Sequence, residues 1–168
     1  MPSEFAVRTA TPEDEARVSE LLAASYPVLM PSSYDANLLA DALPVMTRAN
    51  PTLLAGETYY LAETTDGKIV GCGGWTRERP NSGDVLPGLG HIRHFATHPD
   101  WLGRGVGRTV YARCEKAARS AALQRFQCYA SLNAEGFYKA LGFRSLRRIT
   151  IAMAPGIGLP SMLMERSI

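Results

Sequence analysis

Two segments of this sequence carry residue types and spacings that can do chemistry. The first is His98-Pro99-Asp100-Trp101-Leu102-Gly103-Arg104-Gly105-Val106-Gly107-Arg108. Glycines at alternate positions let the backbone turn tightly with its N–H groups facing outward. A helix starting there adds its own unpaired N–H groups and the positive end of its dipole. That combination suits a phosphate. The second segment is Asn133-Ala134-Glu135-Gly136-Phe137-Tyr138-Lys139-Ala140-Leu141-Gly142-Phe143. It reads as a short helix ended by Gly142, presenting the phenol of Tyr138, a group with a pKa near 10 that can donate a proton. Together they point to an enzyme that grips a diphosphate-bearing cofactor and delivers a proton beside it.

The better-known phosphate loops do not fit. A Walker loop requires GxxxxGK[ST]; Gly107-Arg108-Thr109 imitates its end, but the lysine is missing and the first glycine would fall at Leu102. A dinucleotide fingerprint requires GxGxxG early in a βαβ unit. Here Gly103, Gly105 and Gly107 give GxGxG, late in the chain.

The elements that must position these segments follow from local pattern. Phe5 to Thr9 alternates as a strand. Thr11 reads as an N-cap with Pro12 at the first helical position, and Pro27 and Pro31 are expected to end that helix. A second helix is expected over Asp35 to Leu43, before Pro44, then a loop or irregular helix to Gly56. Strands over Thr58–Glu63 and Ile69–Trp75 flank Thr65-Asp66-Gly67-Lys68, a strong hairpin signal. Gly71, Gly73 and Gly74 in the second strand suggest close approach of another backbone or a ligand. Arg77 to Gly90 reads as a polar loop long enough to act as a lid on the substrate side.

Gly90 to Thr97 is a strand running into the glycine turn, with His91, Arg93, Phe95 and Thr97 expected on one face and His94 on the other. The helix after the turn carries Val106, Val110, Cys114, Ala117 and Ala121 on one face and a Glu115–Arg119 pair outward. Strands over Phe126–Ala130, Phe143–Ala152 and Ser161–Glu165 complete the order β-α-α-β-β-β-α-β-α-β-β.

The 168 residues suit one domain with a sizeable core. No run of 18 apolar residues suggests a membrane span, and Met1-Pro2-Ser3-Glu4 lacks a signal-peptide pattern, so a cytoplasmic protein without membrane partners is expected. Cys72, Cys114 and Cys128 are odd in number and have no metal spacing; they read as reduced core residues, and no metal is expected. A net charge of +2 argues against a nucleic-acid binder. Its distribution is uneven: residues 1–60 hold 3 basic and 8 acidic side chains, residues 101–125 hold 6 basic and 1 acidic. The basic block coincides with the glycine turn, and the acidic block could attract a cationic partner.

The run from His91 through Arg108 resembles the cofactor motif of the GNAT N-acetyltransferases, roughly Val-x-Pro-x-x-[Gln/Arg]-x-x-Gly-x-Gly, with Thr97 in the valine position and Leu102 in place of Gln/Arg. Ser131 through Phe143 resembles the family's second motif, and the element order matches its topology. The resemblance implies an α/β (α+β) fold: a mixed, mostly antiparallel twisted sheet of about seven strands flanked by about four helices. It implies acetyl-CoA as co-substrate, its pyrophosphate on the backbone of Leu102, Gly103, Arg104, Gly105, Val106, Gly107 and Arg108, with Arg104 and Arg108 adding charge. The pantetheine arm would pair with Phe95, Ala96 and Thr97 like an added strand, and Asn133 would bond the arm. Tyr138 takes the general-acid position, a backbone N–H before the turn the oxyanion role, and His91 the place of a base. The implied reaction is direct acetyl transfer to an amine, expected to be small and cationic because the first helices flank the acceptor cleft and are acidic. A peptide N-terminus or lysine, or a non-catalytic acyl-CoA sensor, are the alternatives. Met162, Leu163 and Met164 read either as core or as a homodimer face.

Overall fold

A computed structural model describes residues 4–168. Met1, Pro2 and Ser3, which enter the signal-peptide argument, lie outside the described residues. Seven strands, β1 (Phe5–Thr9), β2 (Tyr59–Thr64), β3 (Ile69–Thr76), β4 (Leu89–Thr97), β5 (Arg125–Ser131), β6 (Arg144–Ala154) and β7 (Ile157–Ser167), form one sheet in the order β1-β2-β3-β4-β5-β7-β6. Every neighbouring pair is antiparallel except β4 and β5. The expected helices are α1 (Glu15–Leu29), α2 (Ala36–Met46), α4 (Val106–Ser120) and α5 (Glu135–Ala140). A further short helix, α3 (Pro51–Ala55), fills the stretch read as loop or irregular helix; Asn50 caps it by accepting from the Thr52 N–H at 3.0 Å.

Pro31 follows the C-cap of α1 as expected, but Pro27 and Pro44 do not end their helices. Pro27 lies inside α1 and Pro44 inside α2. Each sits near the C-terminal end, where it removes one intrahelical bond. The chain then closes the final turn without it, Met30 N–H donating to Tyr26 O at 3.0 Å and Thr47 N–H to Leu43 O at 3.0 Å.

The sheet is covered on both faces. On one, α4 buries Val106, Val110, Tyr111, Cys114 and Ala118 against Tyr60, Ala62, Val70 and Phe126. Full burial of each large apolar side chain contributes about 1.5–3 kcal/mol. On the other, Val18, Leu21 and Leu22 of α1 pack on Leu61, Cys72 and Ala96. The glycines of β3 serve this packing rather than a ligand. A Cβ at Gly71 would lie 2.3 Å from Val106 Cγ1, and one at Gly73 2.5 Å from the Phe95 ring. All three cysteines are buried and free, as expected. Leu163 and Met164 are buried and Met162 packs on the core, so these three side chains are core and not a dimer face.

Part of the acidic N-terminal charge is used internally. Asp14 is 2% exposed and accepts from Arg8 at 2.8 and 2.9 Å, from Arg17 at 2.9 Å and from the Thr11 N–H at 2.8 Å. Those arginine bonds hold its carboxyl well below the usual range. Glu63 joins the same cluster through Arg8 and Arg17.

Two irregularities of β4 shape the site. Cys72 pairs with Ala96 but Gly74 pairs with Arg93, so β4 carries one extra residue, a bulge, and His94 within it has φ of +48°. That corrects the expectation that His91, Arg93, Phe95 and Thr97 share a face. Beyond the bulge the alternation flips: Phe95 joins Ile92 on the α4 side, and Ala96 turns to α1. The second irregularity is a splay. β4 and β5 pair only from Leu89–Arg125 to His91–Gln127, and then part.

Candidate active site

The glycine turn lies between β4 and α4. Gly103 (φ +74°) and Gly105 (φ +78°) occupy the left-handed region, where a side chain would strain the backbone although a Cβ at either would meet nothing. Gly107 is glycine for another reason: a Cβ there would stand 2.8 Å from the Phe137 ring, locking the start of α4 against α5. His98 shapes the approach, its Nδ1 accepting from the Asp100 N–H at 3.1 Å. Among the described residues, no side chain caps the start of α4, and Gly105 stands at its N-cap. Arg104 stacks over Trp101 at 4.6 Å and pairs with Glu4 at 3.2 Å, whereas exposed Arg108 has no ion pair among the described residues.

The splay between β4 and β5 opens a cavity of about 750 Å3. One wall is the unpaired half of β4, Ile92 through Thr97; the facing wall is Cys128 through Ser131 of β5. Leu102 brings the glycine turn to its edge. Asn133 and Ala134 line it just before α5, and Asn133 Oδ1 is buried with no hydrogen-bond partner. A buried acceptor left unpaired is costly unless something else donates to it.

Tyr138 lines the same cavity at 5% exposure, its ring packed edge-on against Phe95, Phe137 and Phe143. The short α5 is terminated where expected: Gly142 (φ +98°) lets the Phe143 N–H reach back to Tyr138 O at 3.0 Å. Burial, helped by Cys128, pushes the Tyr138 phenol well above its ordinary pKa, so the hydroxyl stays protonated.

His91 is 2% exposed and does not line the cavity. Burial and then the charges of Arg79, Arg93 and Arg125 bring its pKa down to about 4. The imidazole that does line the cavity is His94, also brought down to about 4 by burial and Arg93. Both rings are therefore neutral at pH 7.

The opposite end of the cavity comes from segments that carry no motif. Ser25, Tyr26 and Leu29 of α1, Met46 of α2, Arg48, and Pro80 and Asn81 of the polar loop reach it. Asn81 ties that loop to β6 by donating to Ala152 O at 3.3 Å. No carboxylate lines the cavity among the described residues. The described lining therefore offers no carboxylate to a cationic acceptor. Arg93, Arg48 and Ser25 were not picked out as site residues by sequence. Only Arg93 left a trace, as a charged residue in the middle of a strand destined for burial.

Comparison with known proteins agrees with this architecture. A sequence model of the Acetyltransferase (GNAT) family matches residues 16–143. The chain belongs to the GNAT acetyltransferase family. No curated protein sequence matches it. Among solved structures, a GCN5-related N-acetyltransferase from Rhodopseudomonas palustris superposes with a TM-score of 0.78 and 26% identity, over 100% of this chain and 98% of that one. The PaiA N-acetyltransferase of Thermoplasma acidophilum, in complex with coenzyme A, gives 0.72 and 14% over 99% and 100%. N-acetylglutamate synthase from Neisseria gonorrhoeae, complexed with coenzyme A and N-acetyl-glutamate, gives 0.63 and 16%, over 99% of this chain and 36% of that one.

Proposed function

We propose that this protein moves the acetyl group of acetyl-CoA directly to the amine of a small molecule, with Tyr138 as the proton donor. One observation carries the reading: the orphaned Asn133 Oδ1 and the protonated Tyr138 hydroxyl lie along one cavity, and Leu102 brings the uncapped start of α4 to its edge. The residues present fit the cofactor. The N–H groups from Gly103 to Arg108 would hold its diphosphate at the start of α4, with Arg108 and Arg104 adding charge. Asn133 Oδ1 would accept from an amide of the pantetheine arm, and the open backbone edge of Phe95 to Thr97 would receive that arm as an extra strand. Phe95 O already accepts from Tyr26 Oη at 3.1 Å, and its second lone pair faces no such claim. Bound acetyl-CoA supplies an activated acetyl thioester with a thiolate leaving group.

The chain's own contribution is positional and electrostatic. Tyr138 keeps its Oη proton across the neutral range and presents it to negative charge developing beside the ring. Backbone N–H groups of β4 offer the complementary place for an oxyanion. His91 is not assigned the base, because it lies off the cavity and is neutral with little proton affinity. No carboxylate lines the cavity among the described residues, and His94 is a weak base at a pKa of about 4. The acceptor amine therefore sheds its proton to cavity water, and turnover follows the amine's own pKa.

The test is calorimetric titration with acetyl-CoA alongside an assay of free CoA over an amine panel. Saturable binding with turnover that Tyr138→Phe abolishes supports the proposal. Tight binding with no turnover on any amine makes the protein a sensor of acyl-CoA instead.

A further inference from the structure

Resting on the transferase reading above, we infer that the acceptor amine also carries a carboxylate on a largely apolar skeleton, and that Arg93 is the residue that binds this carboxylate. Arg93 is half-buried in the cavity wall just before the β4 bulge. Its Nη1 donates to Thr76 Oγ1 at 3.0 Å, which fixes the guanidinium plane. It has no salt bridge among the described residues; Glu78 is the one carboxylate whose charge acts on it appreciably, and it lies outside ion-pair distance. A half-buried cation lacking a counter-ion is costly, and a guanidinium's fork can hold a carboxylate through two parallel N–H···O bonds.

Three further observations agree. The one other charged side chain on the cavity wall is Arg48, exposed and also without an ion pair among the described residues. Ser25, which also lines the cavity, is 1% exposed, and its buried hydroxyl has no hydrogen-bond partner. The rest of that end is apolar, formed by Leu29, Met46, Ile151, Met153 and Leu159. Arg93 sits before the bulge and Leu102 beyond it, so this cationic end is separate from the glycine turn that would take the diphosphate. A cationic acceptor would meet like charge; a zwitterionic amine with an apolar body would meet Arg93, Ser25 and the greasy wall together.

The experiment compares wild type, Arg93→Gln and Arg93→Lys. Free CoA is measured with leucine, methionine and phenylalanine, each beside its α-carboxamide. Calorimetry measures binding of N-acetylleucine, N-acetylleucinamide and acetyl-CoA. Wild type is expected to favour the acids, and Arg93→Gln to lower their kcat/KM about 100-fold, mostly through KM, as for loss of one partner of a desolvated charge pair. The carboxamides should change less than about threefold and acetyl-CoA affinity not at all, with Arg93→Lys recovering part of the loss. Equal turnover of acids and amides, or equal losses for both in Arg93→Gln, overturns the carboxylate assignment while leaving the transferase standing. Arg93-dependent binding of N-acetylleucine with no turnover keeps the assignment and removes the transferase reading. Absence of both binding and turnover ends the assignment.

Discussion

The two ends of the splayed cavity are built by different means. At the glycine-turn end, a single contiguous stretch, Leu102 to Arg108, would act through backbone N–H groups, and Gly103 and Gly105 are glycine because their φ angles demand it. At the other end, Ser25, Arg48 and Arg93 come from three separated segments and would act through side chains. A backbone device needs local sequence and so leaves a motif. A side-chain pocket needs only that distant residues meet, and leaves none. The same contrast explains how one fold can keep a cofactor grip constant while its acceptor end varies.

Breaking the comparison at its centre should have the largest effect. Tyr138→Phe removes the donor but keeps the ring packing against Phe95, Phe137 and Phe143, so kcat should fall at least ~100-fold while calorimetry shows acetyl-CoA affinity within about twofold. Retained turnover would take Tyr138 out of the mechanism. Gly105→Ala probes the backbone device alone, since a Cβ there meets nothing and only the φ of +78° is penalised. A cost of about 1–2 kcal/mol should weaken acetyl-CoA binding about tenfold with no change in acceptor preference, the mirror image of Arg93→Gln. An altered preference would mean the two ends are not separable.

Asn133→Ala tests the middle of the cavity. Losing one hydrogen bond to the arm should raise the acetyl-CoA dissociation constant about fivefold, and an unchanged constant would leave Asn133 as a turn residue only. His91→Gln should alter kcat/KM less than about threefold, and the pH–rate profile should keep rising toward the pKa of the acceptor amine. Loss of an ascending limb near pH 6 to 7 in His91→Gln would restore His91 as the base.

The smallest effect concerns stability. An unfolded histidine titrates near 6.5 and the folded His91 and His94 near 4. As pH falls the unfolded state takes protons first, so this contribution is complete above about pH 6.5 and is lost progressively toward pH 4. Thermal melts should show a declining Tm over that window and a shallower decline in His94→Gln; parallel slopes would show that burial of this ring is relieved by water.

Much of the fold is legible because its signals are local. The Asp66-Gly67 hairpin, the apolar stripe of α4, the Glu115–Arg119 pair, now seen at 3.4 Å, and the Gly142 stop of α5 each depend on neighbours within a few residues. Pro31 marks the end of α1, but Pro27 and Pro44 misled because a proline's local penalty is one lost bond, and burial of Leu39 and Ala42 in α2, or Leu21 and Leu22 in α1, outweighs it.

By itself the sequence determined what backbone chemistry dictates: the order of elements, the phosphate-shaped turn and the placement of a phenol on the short helix after β5. Tertiary structure alone decided which side chains face which. One extra residue in β4 reverses the alternation and turns Phe95 toward α4, while His91, where β4 is still paired to β5, stays off the cavity. The parting of β4 from β5 then opens the space that Arg93, Arg48 and Ser25 all line. A strand's pattern has period two, so a single inserted residue changes every side chain beyond it, and no composition or spacing upstream records where that insertion falls.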